Sequence, residues 1–145
     1  MTKVIKKNKL SKVIAIILMM AVTISCFCVT ASAESFYQGG DVITGGTFAG
    51  DTFSMGNNNR LTVAARAVTK AGTPTGVTVY VQKYGTYGWS TIASDTIAMD
   101  TSEGTHICID ADVDRNTSCR IVCIVNGSGA NVATVHLGIG MWEKL

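Results

Sequence analysis

Val77-Thr78-Val79-Tyr80-Val81-Gln82-Lys83 alternates apolar and polar side chains without a break. A period of two places Val77, Val79 and Val81 on one face and Thr78, Tyr80 and Gln82 on the other, the pattern of a half-buried β-strand. Gly72-Thr73-Pro74-Thr75-Gly76, just before it, is a turn by composition. The same alternation spreads outward from this stretch. Leu61–Val68 sets Leu61, Val63, Ala65 and Ala67 opposite Arg66. Thr105–Ala111 sets Ile107, Ile109 and Ala111 opposite His106 and Cys108. Asn131–Trp142 aligns Ala133, Val135, Leu137, Ile139 and Met141. Ser118–Val125 is apolar on nearly both faces, as a covered central strand should be.

Short strands are also expected at Trp89–Ala93 and Thr96–Met99, and glycine-interrupted ones at Phe36–Thr44 and Thr47–Met55. Phe48 and Phe53 have opposite parity, so a bulge at Gly50 is needed for both to face inward. Asn126-Gly127-Ser128-Gly129 reads as a hairpin turn joining the last two strands. No stretch of ten residues has helical periodicity. The expectation is an all-β fold, a small antiparallel β-sandwich or jelly-roll-like domain of seven to nine short strands preceded by a signal helix.

The signal is read from residues 1–33. Five lysines precede an apolar run from Val13 to Val29, and Ala31-Ser32-Ala33 supplies the small residues that signal peptidase requires. The run is close to the lower length limit for a membrane span, but the Ala-x-Ala site points to cleavage before Glu34 and to a secreted product. Cys26 has Thr23 where a lipidation site needs an aliphatic residue, Cys28 has Phe27 where it needs a small one, and both read as apolar filler.

The mature chain, 34–145, is long enough for one domain. Seven basic residues stand against ten acids, a net charge of −3. That balance gives no footprint for nucleic acid or anionic lipid. All fifteen glycines lie in this part, which is rich in Thr, Val and Ile and poor in Leu.

Three cysteines remain, and in an exported protein a pair of them is a disulfide candidate. Cys119 and Cys123 sit about 13 Å apart along one strand, too far to bridge, so any bridge is expected between Cys108 and either Cys119 or Cys123. A zinc site from these with His106 and His136 lacks a tight ligand pair and is not expected. Asp110, Asp112 and Asp114 resemble the start of a calcium loop. Arg115 and Ile121, however, stand where an EF-hand needs Gly and Glu, so the acids read as a solvated turn. No metal and no cofactor is expected.

Tyr80, Tyr84, Tyr87 and Trp89 are concentrated around Gly85 and Gly88. Aromatic side chains on a loop held by a rigid sandwich commonly anchor a ligand, and these four are the expected binding residues. Trp89 also suits the core tryptophan of a sandwich, which is the reading favoured for it alone. The order of Val77–Tyr84, Trp89-Ser90, Ile92–Asp95 and the Arg120-Ile121-Val122 strand resembles the small extracellular sandwich modules of Gram-positive surface proteins. That likeness rests on strand spacing and one Trp.

No nucleophile motif is present, and short loops leave little room for a cleft, so catalysis is not expected. The leading expectation is a secreted, non-catalytic module that binds a glycan or a protein and carries no membrane span after cleavage. The alternative is a bacteriocin-like or toxin-like effector acting on another cell's envelope, although the mature chain lacks the positive charge common in such molecules. A third is self-association through a strand edge.

Overall fold

The computed structural model describes residues 33–99 and 104–144. The signal-peptide and lipidation readings, Ala33 apart, lie outside them. No helix among the described residues is long and apolar enough to cross a membrane.

Among the described residues, nine strands form two antiparallel sheets. They are β1 (Glu34–Ile43), β2 (Phe48–Ala49), β3 (Phe53–Ser54), β4 (Arg60–Ala71), β5 (Gly76–Gly85), β6 (Gly88–Ala98), β7 (Ile107–Asp112), β8 (Ser118–Asn126) and β9 (Val132–Trp142). Sheet A has the order β1-β9-β4-β7. Sheet B has β2-β8-β5-β6, with β3 also on β8. The fold is a β-sandwich, as the alternation requires.

The inward faces are those that parity assigns. Leu61, Val63, Ala65 and Ala67 from β4 and Ala133 through Met141 from β9 meet Val77, Val79 and Val81 from β5 and Cys119, Ile121, Cys123 and Val125 from β8. Each is almost wholly removed from water. Full burial of one Val, Leu or Ile stabilises by about 1.5–3 kcal/mol, which is why a slip of one residue in any of these strands is excluded.

Gly50 is the expected irregularity. Phe48 pairs with Cys123 and Phe53 with Cys119, so five steps on one side face four on the other. The Gly50 N–H donates to the Ile121 carbonyl at 2.9 Å, and a Cβ on Gly50 would collide with the Gln38 carboxamide. Both phenylalanines thereby reach the core.

Pairing partners differ from the sequence expectation. Only β5 and β6, among the described strands, are chain neighbours that hydrogen-bond to each other. The hairpin expected across Asn126–Ala130 is not one, because β8 lies in sheet B and β9 in sheet A. Its turn residues instead bridge the two layers. Buried Asn131 holds that crossing: its Oδ1 accepts from the Thr73 N–H at 2.7 Å, its Nδ2 donates to the Ser128 carbonyl, and its own N–H donates to the Thr44 hydroxyl. Three loops are tied by one side chain and its backbone. The two strands expected at Trp89–Ala93 and Thr96–Met99 are one strand, β6. A register shift opposite Val81–Gln82 absorbs the irregularity, and pairing with β5 overrides the turn propensity of Ser94-Asp95.

The bridge expected from Cys108 to Cys119 or Cys123 is also corrected. All three are free thiols. Cys108 is exposed on the outside of sheet A, while Cys119 and Cys123 point into the core from sheet B. Strands that follow one another across Val113–Asn116 belong to different layers, so no register brings these sulfurs together.

Candidate functional site

The outer face of sheet A can be read row by row from its pairing. One row runs Tyr37–Gly138–Ala64–Cys108 across β1, β9, β4 and β7. The next toward one end runs Gly39–His136–Arg66, with His106 one residue beyond the last β4–β7 pair. The next toward the other end runs Ser35–Gly140–Thr62–Asp110. On β9 and β4 the middle row therefore carries Gly138 and Ala64, and the row beyond carries Gly140 and Thr62, while the row on the other side carries the longer His136 and Arg66. Strands stand about 4.8 Å apart and rows about 7 Å apart, so these missing side chains leave a shallow trough.

That trough is an open groove of about 520 Å³ whose lining includes Tyr37, Ala64, Arg66, His106, His136 and Gly138. Tyr37 is 89% exposed. Its ring leans over Gly138, so that a Cβ placed there would lie 3.5 Å from the Tyr37 Cε1 and 3.9 Å from the Ala64 Cβ. Those are ordinary contacts, so glycine at 138 is not demanded by backbone or space; its effect is to keep the floor low. Around Gly140 the space is entirely open.

Charge on this face is unevenly settled. Asp41 accepts from Lys70 and from the Thr134 hydroxyl, and these bonds hold its carboxyl below the usual range. Asp112 is paired with Arg60 at 2.6 Å and is likewise lowered. Asp110 accepts from Thr62. Of the acids read as a calcium-like run, Asp110 and Asp112 are thus paired with β4 and Asp114 lies 3.9 Å from Lys83 of β5, and no cluster suited to a metal occurs among the described residues. By contrast Arg66, His106 and His136 take part in none of the four ion pairs among the described residues. Three nitrogen-bearing side chains converge on one end of the groove with no acid among them.

The residues singled out by sequence lie on the opposite outer face. Tyr80 is half-buried on β5 opposite Ser94 and Val122. Tyr84 is 56% exposed and Tyr87, at the β5–β6 turn, is fully exposed. Trp89 is not a core residue: it pairs with Tyr84 on the outside of sheet B. The two rings meet edge to face at 5.2 Å, and the Arg120 guanidinium sits 4.3 Å above the Trp89 ring. Arg120 Nε in turn donates to Gln82 Oε1 at 2.9 Å. The structure brings Tyr84 and Trp89 together, leaves Tyr87 apart at the tip, and covers one face of the indole with a cation.

Sequence reasoning missed Tyr37, Arg66 and Gly138 as a group. A signal was present: the outward set of the last strand, Thr134, His136, Gly138 and Gly140, holds two glycines, and glycine inside a strand marks close approach of another group.

No family model matches the chain, and no curated protein does. Solved structures share the fold. The K1 cleaved adhesin domain of Lys-gingipain from Porphyromonas gingivalis W83 superposes with a TM-score of 0.50 at 9% identity, over 79% of this chain and 92% of that one. Dimeric latent PorU from Porphyromonas gingivalis gives 0.50 at 12% identity, over 79% of this chain but only 13% of that one. The N-terminal cellulose-binding domain of Cellulomonas fimi β-1,4-glucanase C gives 0.47 at 15% identity, over 68% and 69%. At these identities the likeness to the two Porphyromonas gingivalis structures is one of fold alone.

Proposed function

We propose that the chain is exported, cleaved before Glu34, and acts as a non-catalytic binding module whose ligand, a glycan, lies in the sheet A groove. The observation that carries this reading is the Tyr37 ring standing exposed above a floor of Gly138 and Ala64. An exposed aromatic ring is costly to leave in water and offers a flat apolar surface. A saccharide ring matches it, with apolar C–H groups toward the aromatic face and hydroxyls toward the polar groove end. An adhesin domain built on the same two-sheet fold is compatible with such a role.

A second reading rests on Tyr87, fully exposed at a hairpin tip beside half-exposed Tyr84. It makes that tip a protein-docking point. A glycan array probed with wild type, Tyr37→Ala, Gly138→Val and Tyr87→Ala separates the two. The groove reading expects binding to be lost in the first two variants and kept in the third. Loss in Tyr87→Ala alone moves the site to the hairpin. No binding by wild type removes the glycan reading and favours the envelope-directed effector. Intact-mass measurement of secreted protein checks the start at Glu34.

A further inference from the structure

Resting on the groove reading above, we infer that the ligand is an acidic saccharide, one whose sugar carboxylate is received by Arg66 with His106 and His136 beside it. The mature chain is acidic on balance, yet this end of the groove holds an arginine and two histidines that have no carboxylate partner among the described residues. Nearby acids are already engaged: Asp41 with Lys70 and Thr134, Asp110 with Thr62, Asp112 with Arg60. Among the described residues an incoming anion therefore meets these donors and no unengaged carboxylate in the groove lining.

Geometry then selects among anions. Tyr37 on β1 and Arg66 on β4 are two strands and one row apart, a backbone separation of about 12 Å from strand and row spacings. Both side chains reach into that gap. It suits a sugar ring resting against Tyr37 over Gly138 with its carboxylate directed to the guanidinium. The planar fork of arginine receives a carboxylate through two parallel hydrogen bonds, which a lysine cannot copy. A small inorganic anion would use Arg66 and leave Tyr37 unexplained, and a neutral glycan would use Tyr37 and leave Arg66 unexplained.

The test is calorimetric titration of the secreted protein with galacturonate, glucuronate and mannuronate hexamers, each alongside its methyl ester. The ester keeps the ring and removes the charge. The expected result is that at least one free acid binds about tenfold or more tighter than its ester and that the advantage shrinks with salt. It should vanish in Arg66→Gln and return only in part in Arg66→Lys. Tyr37→Ala should abolish binding of acid and ester alike. If acid and ester bind equally and Arg66→Gln changes nothing while Tyr37→Ala still abolishes binding, the charge inference is overturned and the groove reading stands. If no hexamer binds, free acid or ester, the charge inference is overturned, and if the glycan array also yields no ligand whose binding Tyr37→Ala removes, the groove reading falls with it. Thermal unfolding of each variant, expected within a degree or two of wild type, excludes misfolding as the cause of any loss.

Discussion

The two outer faces of the sandwich are built from similar residues and use them in opposite ways. On sheet B the polar and aromatic groups satisfy one another. Arg120 caps Trp89 and bonds Gln82, Gln82 donates to Thr91, Asn126 donates to Thr78, and Thr78 meets Thr96. On sheet A, Tyr37 stands exposed over glycine, and Arg66 has no acid partner among the described residues. A face that answers its own hydrogen bonds has little left to offer a ligand. A face that leaves a ring and a cation open beside an empty floor has its recognition groups ready. An aromatic count alone points to sheet B, because it does not register which rings are already engaged by neighbours.

The thiols give the sharpest contrast between the layers. Cys108 lies open on sheet A, while Cys119 and Cys123 are sealed under sheet B. A disulfide reagent should modify Cys108 at once in native protein and the other two at least about a thousandfold more slowly, since they react only on opening of the fold. Equal rates for all three would mean that the layers are not closed.

Alkaline stability follows from the same burial. Removal from water pushes the Cys119 thiol up to about 11 and the Cys123 thiol up to about 12. The unfolded chain ionises them near pH 9, so their contribution is complete below that value. It is lost as pH rises through 11 and 12, by at most ~1.4 kcal/mol per thiol per pH unit. Denaturant midpoints from pH 8 to 11 should fall in wild type and fall less in Cys119→Ala/Cys123→Ala.

Trp89→Ala tests the sheet B network. Losing the aromatic pair and the cation above it should cost about 2 kcal/mol without changing glycan binding. Tyr37→Ala is the mirror image: its ring covers only Gly138, so stability should move by no more than ~0.5 kcal/mol while binding is lost. Reversal of either pattern would exchange the roles of the two faces.

Much of the fold was legible because parity is local. Val77, Val79 and Val81, or Ala133 through Met141, declare their inward face from five to nine residues of sequence, and the Gly50 bulge follows from two phenylalanines of opposite parity. Partner choice was not legible. Asn126-Gly127-Ser128-Gly129 has hairpin composition, but it lies between strands of different sheets and is held by Asn131, which looks like an ordinary loop residue until three loops converge on it. The groove was hidden for a related reason. Its floor is an absence of side chains shared by β4 and β9, and its wall is a tyrosine in a glycine-broken strand, so no single window of sequence contains it.

The most direct test of the account is an amide chemical-shift map of isotopically labelled protein titrated with uronate and neutral hexasaccharides. The account predicts perturbations gathered on Tyr37, Ala64, Arg66, His106, His136 and Gly138, with Tyr80, Tyr84, Tyr87 and Trp89 unmoved. Perturbations centred on the β5–β6 hairpin, or none on sheet A at saturating saccharide, would contradict it.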